Sequence, residues 1–180
     1  MHRLFVAIRP PAPVRAQLLA MMAGIAGARW QSEDQLHLTL RFIGEVERPV
    51  AKDVAAALAS IHHPSFTIAL DGVGSFERRG RGALWVAATP EHDLQALHKK
   101  VDQACQRVGL APEGRAYRPH VTIARLDRST GPIDAFVRAA GGERSAPFTV
   151  DSFCLYESDL TPQGPVYSIV EVYPLAAVRT

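Results

Sequence analysis

The chain has 180 residues, 47% of them hydrophobic and 21% charged, with a net charge of +2. That is the profile of one globular domain, or of two small lobes sharing a core. No apolar run approaches the ~18 residues a membrane-spanning helix needs, and so small a net charge excludes the broad basic field of large nucleic-acid binders.

The chain opens with Arg3 to Arg9 as a strand, and Arg9-Pro10-Pro11 follows too soon for a secretory leader. A helix follows Pro13, with Val14, Leu18, Met21/Met22 and Ile25 at helical spacing. Leu36 to Ile43 reads as a strand closed by Gly44. Val50, Val54, Leu58 and Ile61 mark a second amphipathic helix. Phe66 to Phe76 is a strand, Gly80-Arg81-Gly82 a turn, and Ala83 to Ala88 the next strand. Leu94, Leu97, Val101, Cys105 and Val108 predict a long helix over 90–108. His120 to Arg125 is a strand, and Pro132 to Ala140 a short helix ended by Gly141-Gly142. Phe148 to Glu157 and Tyr167 to Tyr173 are the last strands, joined by a turn through Thr161-Pro162-Gln163-Gly164-Pro165.

Strand, helix, strand, helix, strand thus occurs twice. Leu4 precedes His37 by 33 positions and Leu84 precedes His120 by 36. We read an internal duplication: an α+β, bilobal fold with two antiparallel sheets facing a central cleft and helices on the outside. The whole of 1–180 is one domain, with approximate repeats 1–80 and 81–166 forming the lobes and a final strand, 167–174, bridging them. Cys105, on a helix, and Cys154, on a strand, have no metal-ligand spacing and read as buried free thiols, in keeping with a cytoplasmic protein.

A tetrad of His, aliphatic, Thr, aliphatic occurs once in each repeat, as His37-Leu38-Thr39-Leu40 and His120-Val121-Thr122-Ile123. On a strand, alternation points the imidazole and hydroxyl to one face and the aliphatic groups into a core. Two such strands across a cleft supply two proton-transfer groups and two hydroxyl donors. That set suits in-line attack on a phosphodiester, one His as base, the other as acid, with Thr39 and Thr122 on the phosphate oxygens. A metal centre would want three or four convergent ligands, and no Asp or Glu stands near either tetrad on its strand. Seventeen of the 20 cationic residues are Arg, whose planar fork suits phosphate. They cluster at Arg78-Arg79-Gly80-Arg81 and, as Arg115, Arg118 and Arg125, around the second tetrad.

The tetrads lie in longer blocks: Arg3-Leu4-Phe5-Val6-Ala7-Ile8, Leu36 to Val46, Pro119 to Arg125, and Leu155-Tyr156-Glu157-Ser158. On these the chain resembles the 2H phosphoesterase superfamily, and within it the bacterial RNA 2',3'-cyclic phosphodiesterases, also called 2'-5' RNA ligases. The resemblance implies hydrolysis of the cyclic phosphate at RNA 3'-ends to a 2'-phosphate without metal or other cofactor, and the reverse joining of RNA through a 2'-5' bond. It implies His37 as proton donor, His120 as proton acceptor, and Thr39, Thr122 and Arg125 on the phosphate. The expected partners are RNA 3'-ends, tRNA among them, or nucleoside 2',3'-cyclic phosphates. No membrane and no obligate protein partner are expected, and the chain is expected to be a monomer.

Some positions carry open readings. Strict alternation sets Arg125 on the face opposite His120 and Thr122, so the strand must end or bulge there for it to reach phosphate. Arg41 alternates onto the His37 face and reads as a solvated rim residue. Tyr117 and Phe42 could stack on a base or serve the core or rim. Trp30 and Trp85 read as packing residues, and His62, His63, His92 and His98 as helix-end or exposed residues without chemistry. Two other functions fit the tetrads: a 2H phosphoesterase acting on a small cyclic nucleotide or ADP-ribose-derived cyclic phosphate, and a non-catalytic RNA-end binding protein.

Overall fold

The strands and helices of the computed structural model, which describes residues 1–178, follow the predicted order. They are β1 (His2–Ile8), α1 (Ala12–Met21), β2 (Arg29–Trp30), β3 (Leu38–Val46), α2 (Arg48–Ala59), β4 (Phe66–Arg78), β5 (Arg81–Thr89), α3 (His92–Arg107), β6 (His120–Asp127), α4 (Asp134–Ala140), β7 (Phe148–Val150), β8 (Ser152–Thr161) and β9 (Gly164–Pro174). Residues 179 and 180 of the expected domain lie outside the described residues. Two elements lie outside the predicted ones: the two-residue β2 and a single 3-10 turn, Glu33–Gln35, where the Ser32 N–H donates to the Gln35 side-chain oxygen at 3.0 Å. The strand expected over 148–157 divides at Asp151, because β7 pairs with β4 whereas β8 pairs with β1.

Two separate sheets were expected, but the strands form one path, in the order β7-β4-β5-β6-β3-β1-β8-β9, with β2 added beside β6. All these pairings are antiparallel. The path narrows at its centre to one register pair between β3 and β6, Leu38 facing Val121. The two arms on either side are not the two halves of the sequence. β4 leaves the first half to pair with β5, and β8 leaves the second half to pair with β1. Exchanging β1, β3 and β4 for β5, β6 and β8 maps the order β4-β5-β6-β3-β1-β8 onto itself reversed.

The last strand does not bridge the arms. The turn after Thr161 is short enough for a hairpin, so β9 pairs along the whole of β8 and lies at the sheet edge. The arms are tied by the crossing of β4 and β8 and by Ala176, just past β9, which donates to the His63 carbonyl at 3.0 Å and accepts the Ser65 N–H at 2.7 Å.

One face of the sheet is covered by helices. Leu94, Leu97 and Val101 on α3, with Val54 and Leu58 on α2, recur at helical spacing and pack against Val6, Leu38, Leu40, Val121 and Ile123. The other face carries a small apolar cluster of Phe5, Ala7, Cys154 and Tyr156, flanked by Tyr167. β1 is therefore buried on both faces, which is why Leu4 to Ile8 is continuously apolar. Cys105 and Cys154 are buried free thiols, and burial raises the pKa of both.

Candidate active site

The Leu38–Val121 pair sets the site. With antiparallel register around it, Thr39 comes opposite His120 and His37 opposite Thr122. Leu38, Leu40, Val121 and Ile123 are 0–1% exposed in the core beneath. His37, Thr39, His120 and Thr122 keep partial access to solvent on the other face. β3 begins at Leu38, so His37 stands just before the strand, whereas His120 is the first residue of β6.

Both imidazoles are held in the same way. His37 Nδ1–H donates to the Gln35 carbonyl at 2.7 Å, and His120 Nδ1–H donates to the Arg118 carbonyl at 2.7 Å. A carbonyl can only accept, so each Nδ1 carries the proton. In the neutral rings this leaves Nε2 with a lone pair for proton transfer.

Their surroundings differ. The His37 ring lies 4.8 Å from Phe5, 5.3 Å edge-on from Tyr167 and 6.2 Å from Tyr156, centroid to centroid. Desolvation in this aromatic enclosure, with the charges of Arg125 and His120, lowers its pKa to about 4 against the opposing pull of the Gln35 carbonyl. Free His37 is therefore neutral at pH 7. His120 has Trp85 as its neighbour, 6.0 Å between centroids. Trp85 lies across Gly74, where an added Cβ would come within 2.2 Å of the indole.

Arg125 reaches the cleft through a bulge. Along β5 and β6, Trp85 faces Thr122 and Leu84 faces Ala124, so Ile123 is left unpaired. Ile123 and Ala124 both enter the core, and Arg125 turns out beside the tetrad face. The first tetrad has the same device. Ala7 faces Thr39 and Val6 faces Arg41, leaving Leu40 unpaired.

That bulge corrects the reading of Arg41 as a solvated rim residue. Arg41 is 6% exposed and turns inward, where it forms an ion pair with Asp102 of α3 and donates to the Ala111 carbonyl. Phe42 takes the outward place and is 62% exposed on the wall of the His37 pocket. Tyr117 is a packing residue, stacked on His98 at 4.2 Å, while His98 Nδ1–H donates to the Leu40 carbonyl. His63 is not an exposed helix-end residue either. It is 6% exposed and packs edge-on against Phe66, and burial lowers its pKa. Trp30 packs on Phe136 and also lines the cleft.

The His37 pocket, about 390 Å³, is lined by His37, Phe5, Phe42, Arg125 and Tyr167. It adjoins a larger groove of about 840 Å³, the two sharing Arg125, Pro165 and Tyr167. Among the described residues, no group of three His, Cys, Asp or Glu is close enough to hold a metal ion. Two imidazoles with free Nε2 atoms, two hydroxyls and a guanidinium are groups able to move protons and to hydrogen-bond an anion.

Sequence reasoning missed the aromatic enclosure of Phe5, Tyr156 and Tyr167, because it is built by β1, β8 and β9. It also missed the outward Phe42, for which a signal existed. Aligning the two tetrads places Arg41 with Ala124 and Phe42 with Arg125.

Comparison with known proteins extends this pattern along the chain. The 2'-5' RNA ligase superfamily matches over residues 10–162. An RNA 2',3'-cyclic phosphodiesterase of Aeropyrum pernix is 36% identical over 75% of this chain and 79% of its own. That of Archaeoglobus fulgidus is 28% identical over 95% of this chain and 99% of its own. The crystal structure of E. coli LigT complexed with 3'-AMP superposes with a TM-score of 0.79 at 27% identity, covering 97% of this chain and 98% of that one. With the family model matched over residues 10–162 and a relative 36% identical over 75% of the chain, the chain belongs to the 2'-5' RNA ligase superfamily.

Proposed function

We propose that this protein is an RNA 2',3'-cyclic phosphodiesterase that opens the cyclic phosphate at RNA 3'-ends to a 2'-phosphate, using its own side chains and no metal. The observation that carries this reading is the matched pair of Nδ1-anchored histidines flanking one register pair. Two proton-transfer groups on a two-fold-like frame suit displacement at phosphorus, where nucleophile and leaving group occupy opposite sides. His120 takes a proton from water as its oxygen bonds to phosphorus. The bond from phosphorus to the 3'-oxygen breaks, and His37 delivers a proton to that oxygen. Thr39, Thr122 and Arg125 hold the non-bridging oxygens.

His37 must be charged to act as the donor, although burial holds its pKa down to about 4. The substrate supplies the missing counter-charge. An anionic phosphate beside the ring favours the imidazolium and offsets Arg125, so protonation of His37 accompanies binding. With the 5'-hydroxyl of a second RNA entering in place of water, the same two proton transfers break the bond from phosphorus to the 3'-oxygen, free the 3'-hydroxyl and join RNA through a 2'-5' bond.

The test is hydrolysis of a nucleoside 2',3'-cyclic phosphate in EDTA, followed by phosphorus NMR. The expected result is full activity with the 2'-phosphate as product. Loss of activity restored by a divalent metal would overturn the metal-free reading, and a 3'-phosphate product would overturn the regiochemistry. No turnover of any cyclic phosphate would favour an RNA-end binding protein.

A further inference from the structure

The cleft has two exits of opposite charge. Beyond Tyr167 and Pro165 the His37 pocket joins the 840 Å³ groove, whose walls carry Arg29, Arg78, Arg81 and Arg125 against one carboxylate, Asp127. Beyond Ser158 and Leu160 it joins a hollow of about 250 Å³ carrying Glu45, Glu157 and Asp159 against Arg3.

The arginine exit is built against ordinary ladder chemistry. Arg78 faces Arg81 across the β4–β5 hairpin, and Arg29 faces Arg125 across β2 and β6. Like charges placed directly opposite destabilise a strand pair. Among the described residues, none of these four guanidiniums has a carboxylate oxygen within 4.0 Å. Asp127 faces Arg81, but its carboxylate instead accepts the Ser129 N–H at 2.9 Å and the Ser129 hydroxyl at 2.6 Å. Two opposed arginine pairs on one groove are relieved by an anionic strand lying between them, and Phe76, half exposed on the same wall, offers a ring to a base.

We infer that the groove lined by Arg29, Arg78 and Arg81 binds the phosphodiesters upstream of the RNA 3'-end, so that the strand enters over the β4–β5 hairpin and avoids the carboxylate exit. This rests on the phosphodiesterase reading and adds a direction and a preference for polynucleotide over mononucleotide.

The test compares kcat/KM for a short oligoribonucleotide ending in a 2',3'-cyclic phosphate with that for the matching nucleoside 2',3'-cyclic phosphate over a range of salt. The oligonucleotide is expected to be favoured at least tenfold at low salt, the advantage shrinking as salt rises. The paired substitution R78Q/R81Q should lower the oligonucleotide-to-mononucleotide ratio about tenfold. It should also flatten the logarithmic salt dependence by about 1.4, at about 0.7 per phosphate contact on a single strand. E45Q/D159N should leave that salt dependence as in the wild type. Equal kcat/KM for the two substrates overturns the inference, as does a response to E45Q/D159N in place of R78Q/R81Q. If neither substrate turns over, the phosphodiesterase reading fails. Fluorescence anisotropy with a labelled oligoribonucleotide ending in a 3'-phosphate then judges the groove by the same salt criterion.

Discussion

Phe42 and Arg125 hold the same place, three residues beyond the threonine of their tetrads, and the same bulge turns both into the cleft. The frame is symmetric and the site is not. One half presents an aromatic ring beside His37, and the other a guanidinium whose charge bears on His37. Removing that charge should raise the His37 pKa above about 4. Titration of the ring by NMR in Arg125→Ala should show the upward shift, and an unchanged midpoint would mean that the Arg125 charge does not set the value.

The two histidines should be inseparable in kinetics and distinguishable by leaving group. His37→Ala and His120→Ala should each cost several orders of magnitude in kcat, with the double variant little worse than either. A cyclic substrate with sulfur in place of the 3'-oxygen leaves as a thiolate and needs no acid. It should restore much of the rate of His37→Ala and little of that of His120→Ala, and the opposite pattern would reverse the assigned roles. Thr39→Val and Thr122→Val should each cost about 1.5–3 kcal/mol, one hydrogen bond to a charged group.

Acid should destabilise the free protein through His37. An unfolded histidine titrates near ~6.5, whereas folded His37 titrates at about 4. Between these values the unfolded chain binds more protons, so stability present above pH 6.5 is lost as pH falls towards 4. Thermal midpoints should fall across this window less steeply in His37→Gln than in the wild type. Buried His63 contributes with the same sign in both proteins, and therefore cancels in the comparison. Parallel curves would show that His37 folds in its protonated form.

Arg41 should matter for stability more than for chemistry. Its ion pair with Asp102 is buried, and Asp102 also accepts the Glu113 N–H at 3.0 Å, so the two side chains pin the loop that leads to His120. Arg41→Ala should cost about 3–5 kcal/mol in chemical denaturation, because it strands the Asp102 carboxylate. Arg41→Met with Asp102→Leu should recover part of that loss. A cost below ~1 kcal/mol for the single variant would show that the pair is solvated.

Local chemistry made much of this protein legible from its sequence. Apolar spacing marked the helices, Gly and Pro marked the turns, and period-2 alternation put the two tetrads on strands with their aliphatic members inward. The repeated tetrads also singled out the candidate reacting groups, which the Leu38–Val121 register sets beside one another. Tertiary structure decided whatever depends on pairing between distant segments. The bulges that bury Arg41 and expose Arg125 exist because β1 and β5 each pass one residue of the neighbouring strand unpaired, an offset invisible within β3 or β6 alone. The crossing of β4 and β8, the edge position of β9 and the aromatic enclosure that holds His37 neutral likewise arise from contacts between segments far apart along the chain.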